Sequence, residues 1–255
     1  MSRKRSSLGH TLLNLLYIAI AIAVWQAIVV IFHVKEFVVP SPVAVFKCLF
    51  FTEKVAENTW WARVSTTLVE IIVSFAFTAA IGFLLAILIC WSKILRSLIM
   101  PIIEVLNSLP KIALAPLFLI WLGYGFKANV TIAIICAFFP IVLNTTVGLD
   151  SVDEDLLDLV RYLNASKLQI FLKIRIPNSL PFVFSGLKVS ATMTVVGTIV
   201  GEFVASSKGL GYLIKDSQAM MNTPPMFAAL FLVSAIGLGL FAFIGSLEVK
   251  LMPWN

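Results

Sequence analysis

Residues 11–32 hold no charged side chain, and neither do residues 130–149 or 226–247. The hydrocarbon core of a bilayer takes about 20 apolar residues of helix to cross. Lipid offers no hydrogen bonds, so a crossing backbone must satisfy its own polar groups, and a helix does so within one segment. Composition supports the same reading. Hydrophobic residues make up 60% of the 255 and charged residues 13%, about half the roughly 25% usual for a soluble domain. A soluble fold of this size would lack the polar residues to cover its surface. Disorder is excluded because the chain is apolar and carries little charge. The fold class is therefore all-α, a polytopic membrane protein.

Six spans are read along the chain, at about residues 11–32, 65–91, 98–122, 130–149, 180–204 and 226–247, within one transmembrane domain covering residues 1–255. The first follows Arg3, Lys4 and Arg5. It is too long for a signal-peptide core and no small-x-small cleavage site follows, so it is taken as a retained span. Residues 34–64 are mixed. Val39-Pro40-Ser41-Pro42 breaks the chain, and a short amphipathic interfacial helix is expected before Trp60 and Trp61. The third span carries Pro101, Pro110 and Pro116. An even number of spans puts both termini on one side. That side holds ten Lys and Arg residues against seven opposite, with Lys111 and Lys188 inside spans, so both termini are expected in the cytoplasm. The net charge of +6 then reflects topology and anionic lipid, not nucleic acid. Cys48, Cys90 and Cys136 form no paired motif, and His10 and His33 lie near the ends of the first apolar run. A disulfide framework or metal site is not expected.

The scarce charge is concentrated. Nine of the 32 charged residues fall within residues 150–178. Ser151-Val152-Asp153-Glu154 and Ser166-Lys167-Leu168-Gln169 both fit a capping box. They predict two short helices, about 152–163 and 167–175, with Pro177 stopping the second. Leu156, Leu157, Val160 and Leu163 recur at helical spacing, and Asn164 suits a left-handed turn. This amphipathic pair lies on the cytoplasmic side. Its acids at 153–158 oppose an anionic leaflet, which favours a soluble docking partner over a lipid surface.

The stretch from Asp158 through Arg161, Leu163, Asn164, Ala165 and Ser166 to Ile174 and Pro177 resembles the EAA loop of bacterial ABC importer permeases. Ile174 and Pro177 match that pattern in type and spacing. Asp158 stands where the pattern has Glu, Leu159 and Val160 where it has two alanines, and Asn164 where it has Gly. Val39-Pro40-Ser41-Pro42, Leu114-Ala115-Pro116-Leu117, Trp121-Leu122-Gly123-Tyr124-Gly125, Phe138-Phe139-Pro140 and Gly209-Leu210-Gly211-Tyr212-Leu213-Ile214 resemble the nitrate/sulfonate/taurine branch. That branch includes importers of thiamine-precursor pyrimidines and riboflavin. The resemblance covers about residues 10–250. It implies a type I importer permease of MetI-like fold in the bacterial inner membrane, working as a homodimer with two cytoplasmic ATPase subunits and an extracytoplasmic substrate-binding protein. Residues 150–178 would be the coupling loop. The substrate would be a small nutrient such as a sulfonate, taurine or nitrate, or an organic such as a thiamine-precursor pyrimidine or riboflavin. No G-x-x-x-x-G-K-[ST] phosphate loop occurs, so ATP and Mg are expected on the partner ATPases and no cofactor on this chain.

Polar residues inside spans are the candidates for a translocation path, since they are costly in lipid. They are Asn107, Ser108, Asn144, Thr192, Met193 and Glu202, with Thr194 nearby and Met220 and Met221 in the loop beyond. Interhelical hydrogen bonding and packing are the competing roles for all but Glu202, whose alternative is an interfacial, water-exposed carboxylate. An ATP-independent secondary transporter or channel is the alternative function, but no inverted repeat is found to favour it. No nucleophile or metal constellation supports an enzyme.

Overall fold

The computed structural model describes residues 3–51, 54–55 and 58–252. In chain order it has α1 (Arg3–Ile31), α2 (Pro42–Phe51), the two-residue strands β1 (Lys54–Val55) and β2 (Asn58–Thr59), α3 (Trp60–Trp91), α4 (Lys93–Ser108), a 3-10 turn (Lys111–Leu114), α5 (Ala115–Leu122), α6 (Phe126–Asp150), α7 (Glu154–Tyr162), α8 (Lys167–Ile170), a π-helical turn (Phe171–Arg175), α9 (Ile176–Ala205), α10 (Gly209–Ala219) and α11 (Thr223–Leu251). The chain is all-α, as its apolar runs require. The small antiparallel β1–β2 pair is the departure.

Among the described residues four stretches are long and apolar enough to span a membrane: Trp60–Trp91, Phe126–Asp150, Lys167–Ala205 and Thr223–Leu251. A fifth results if α4 and the segment Lys111–Leu122, bent by 84° at the break between them, count as one. The expected third span is thus broken. Pro110 has no amide hydrogen and disfavours helix at Leu109, whose backbone is extended (φ −69°, ψ 143°). The expected first span is seen as the apolar helix Leu16–Ile31; His10 falls among residues whose side chains lie outside the described set. Helix α2 is apolar with Lys47 as its one charge, rather than the amphipathic helix expected there.

The molecule divides into two compact units. One comprises residues 1–62 with 213–232, the other residues 63–212 with 233–255. In the first unit, Trp25 of α1 lies against Phe227 and Phe231 of α11, with ring centroids 5.9 and 6.1 Å apart. Trp60 donates its indole N–H to the Cys48 carbonyl at 3.2 Å, which ties the start of α3 to α2.

The second unit is built around α6. Its buried residues run from Ala128 to Leu149 and lie on more than one face, as expected of a central helix. Close packing with α9 depends on small residues. A Cβ at Gly197 would lie 2.7 Å from the Ala133 Cα, and one at Gly201 2.8 Å from the Asn129 Cα. The Ser190 hydroxyl donates to the Ala137 carbonyl across the same seam. Ile89 and Ile103 pack with Phe139, Ile141 and Val142 of α6. Phe184 and Ala191 of α9 pack with Ile244 of α11, and Lys188 of α9 forms an ion pair with Glu248 of α11. Helix α3 buries small and polar groups, among them Thr67, Glu70, Ser74, Thr78, Gly82 and Ala86, while Ile72, Phe77, Leu84 and Leu88 face outward. Polar residues inside and large apolar residues outside is the arrangement expected of a helix with lipid for solvent.

Candidate functional site: a capped helical hairpin and a buried carboxylate cluster

The polar segment at 150–178 folds into a helical hairpin. Asp153 caps α7, accepting the Asp155 amide at 2.8 Å. The expected first capping box is therefore not formed. Ser151 instead closes the end of α6, donating its hydroxyl to the Gly148 carbonyl at 2.9 Å. The second box forms as read: Ser166 Oγ accepts the Gln169 amide at 3.2 Å, and Gln169 Oε1 accepts the Ser166 amide at 2.8 Å. Asn164 sits between the helices at φ +59°, in the left-handed region where its side chain makes it one of the tolerated residues.

Pro177 does not end the second helix. The backbone continues as one helical stretch from Lys167 to Ala205, so the expected start of the fifth span at residue 180 gives way to a far longer element. The reason is local. Pro177 offers no N–H to the carbonyl four residues before it, and the ladder widens instead of breaking: the Ile176 amide donates to the Phe171 carbonyl, five residues back.

Val152, Leu157 and Ile170 form a small core, with Val160, Ala165 and Ile174 packed against it. Of the four apolar residues read as one stripe, Leu157 and Val160 turn inward while Leu156 and Leu163 remain exposed. Leu159 and Tyr162 join the exposed pair, with Tyr162 85% and Leu163 68% accessible. These four form a second, outward apolar face. Sequence spacing alone missed Leu159 and Tyr162, because a nine-residue helix with apolar residues on two faces shows no single stripe. Asp158 and Arg161 are also exposed and pair with each other at 2.7 Å, an interaction worth little at a solvated surface.

The hairpin is anchored at its base. Trp91, the last residue of α3, meets Phe171 edge-on at 5.2 Å. Asp150 binds Arg96 at 2.6 Å and lies 3.9 Å from Arg175. Asn178 donates to the Ser151 hydroxyl at 2.9 Å. Pro177 and Ile174 are half-buried at this junction.

The residues read as path candidates have different surroundings. Asn107 is exposed and accepts from Lys111 at 3.0 Å. Ser108, also exposed, donates to the Val105 carbonyl. Asn144 is half-buried and donates to the Pro140 carbonyl at 2.8 Å. Thr192 and Met193 lie on the exposed side of α9. Glu202 stands apart: it is 0% exposed. Its Oε1 accepts from the Thr67 hydroxyl at 2.6 Å and its Oε2 from the Gly211 amide at 2.5 Å. The Leu210 amide donates to Thr67 Oγ1 at 2.8 Å. Next to this group, Glu70 accepts from Asn129 at 2.9 Å and interacts electrostatically with Glu202. Thr67, Glu70 and Asn129 were not among the sequence candidates. Nothing in the one-dimensional pattern links positions 59 and 135 residues apart.

The long apolar helices and the polar, capped hairpin define a multi-span membrane protein. The family model for the binding-protein-dependent transport system inner membrane component matches residues 78–252, and the chain belongs to that family. It is 31% identical over 221 residues to the formylaminopyrimidine transport permease protein ThiX of Halalkalibacterium halodurans, covering 87% of each chain. It is 30% identical over 242 residues to the putative aliphatic sulfonates transport permease protein SsuC of Bacillus subtilis, covering 95% of this chain and 87% of that one. Inward-facing structures of the MetNI methionine ABC transporter share the fold, with a TM-score of 0.58 at 20% identity over 73% of this chain and 96% of that chain. The chain is an ABC importer permease of type I.

Proposed function

We propose that this chain is the membrane-spanning subunit of a binding-protein-dependent importer, forming the substrate passage as a homodimer in the inner membrane. Two separate ATPase subunits, carrying ATP and Mg, dock on the α7–α8 hairpin, and a binding protein delivers substrate from the opposite side. The chain itself holds no cofactor and catalyses no reaction. Both termini and the hairpin lie in the cytoplasm, a reading supported by the ten-to-seven bias of basic residues.

The observation that carries this reading is the outward face of Leu156, Leu159, Tyr162 and Leu163 on a hairpin that already has its own core. An exposed apolar patch of this kind marks a protein contact. The hairpin also continues without a break into α9, so movement of a docked ATPase reaches the membrane helices directly. Packed helices switch between discrete arrangements rather than deforming smoothly, which suits alternating access.

The cargo is proposed to be a small nutrient of the kinds named for the relatives, an organic molecule such as a thiamine-precursor pyrimidine or riboflavin being favoured over nitrate. The stretches Gly201-Glu202-Phe203 and 226–230 support that choice.

The test is co-purification of the chain with its ATPase subunits, using the double variant Tyr162→Asp, Leu163→Asp. The ATPases retained should fall at least tenfold, equivalent to about 1.4 kcal/mol, while the chain still inserts in the membrane. Undiminished retention would remove this face from the interface.

A further inference from the structure

Glu202 lies at the far end of the continuous helical stretch that begins in the hairpin at Lys167. At about 1.5 Å per residue, its 39 residues reach roughly 58 Å. At that end the chain turns through Ser206–Lys208 into α10. The first amides of α10 have no partner within their own helix. Their acceptors come from two other helices: the Leu210 amide donates to Thr67 of α3, and the Gly211 amide to Glu202 of α9. Thr67 also donates to Glu202, so the three helices meet in one hydrogen-bonded knot.

The knot leaves no slack. Gly209 has φ +94°, and a Cβ there would fall on the Glu202 carboxyl group. A Cβ at Gly211 would lie 2.8 Å from both the Glu202 Cβ and the Ile199 carbonyl. Both glycines are thus needed for α10 to start against Glu202. Glu70, held by Asn129, lies behind it, and the Arg63 guanidinium lies 5.8 Å from the Tyr212 ring, one residue beyond the cap.

We infer that Glu202 is a positioning residue that transmits the state of the ATPase-docking hairpin to α10. Through the Glu202 cap, α10 moves with the outer end of α9. The inference rests on the proposed function for the hairpin and its opposite-side topology. It adds that the hairpin and α10 respond together, and that Glu202 is what joins them.

The experiment uses the complex with its ATPase subunits in nanodiscs, with Cys48, Cys90 and Cys136 replaced by Ser. Spin labels are placed at Lys167→Cys, exposed in the hairpin and not one of the four face residues, or at Lys215→Cys on the exposed side of α10. Distances between the two copies are read without nucleotide and with ATP plus vanadate. In the otherwise unchanged chain both sites should shift with nucleotide. In Glu202→Ala the shift at 167 should persist and the shift at 215 should be lost, a split that general destabilisation would not produce. Thr67→Val removes the hydroxyl at almost constant volume and should give the same split, which covers the case of Glu202→Ala failing to assemble. A full shift at 215 in either variant overturns the proposal. A shift at 167 without one at 215 in the unsubstituted chain overturns it too, while leaving the docking reading intact. No shift at 167 in the unsubstituted chain overturns the docking reading and this inference together.

Discussion

Asn164 shows how much one backbone angle carries. At φ +59° it lets α7 hand over to the Ser166 capping box within a few residues. The left-handed conformation costs most L residues about 1–2 kcal/mol, and a β-branched side chain is least suited to it. Asn164→Val should therefore raise amide exchange across residues 154–170 by roughly 5- to 30-fold, while Asn164→Gly should leave it close to wild type. Hydrogen exchange read by mass spectrometry would check both; equal protection in the two variants would show that the turn is not what holds the hairpin. Asn164 and Ser166 were legible in the sequence because caps and turns are local chemistry. Thr67 and Asn129 were not, since their partners are brought to them only by helix packing.

The element that departs most from expectation is the helix from Lys167 to Ala205. A proline in a helical pattern ordinarily marks an end, yet here it leaves a π turn that α9 continues beyond. That turn sets the direction in which the hairpin faces relative to α9. Pro177→Ala restores the missing amide and should let the segment close into regular α-helix, rotating the hairpin by about 100° per residue of register. Uptake per ATP hydrolysed by the reconstituted complex should fall at least tenfold, with insertion and ATPase retention preserved. Uptake unchanged by the substitution would mean that the π turn has no part in coupling. Pro110 produced the opposite result, an 84° break. Both prolines read alike in one dimension, and the segments C-terminal to them decided the difference. Lys111–Leu114 can form only a short 3-10 turn before Pro116, whereas Pro177 leads into a long helix packed along α6.

At the scale of the whole molecule, the proposed orientation makes a claim about sidedness. Leu163→Cys and Lys215→Cys should react with a membrane-impermeant maleimide from opposite faces of sealed vesicles, residue 163 from the cytoplasmic face. Labelling of both from one face would contradict the assignment of the hairpin and α10 to opposite sides, and with it the proposed path of transmission.

Membership of the membrane class, the all-α fold, the place of the helical hairpin and the cap of its second helix were determined by the sequence alone. They depend on quantities summed along the chain: apolar length against bilayer thickness, and side-chain caps within three residues of the amides they serve. The tertiary structure alone decided which face of α7 points outward, that the hairpin and α9 are one element, and that Glu202 ends in a three-helix knot. Those depend on which surfaces pack together. A carboxylate in an apolar run reads the same whether it lines a passage or caps a helix more than a hundred residues from its other partner; only the placement of Thr67 and Gly211 around it shows the cap.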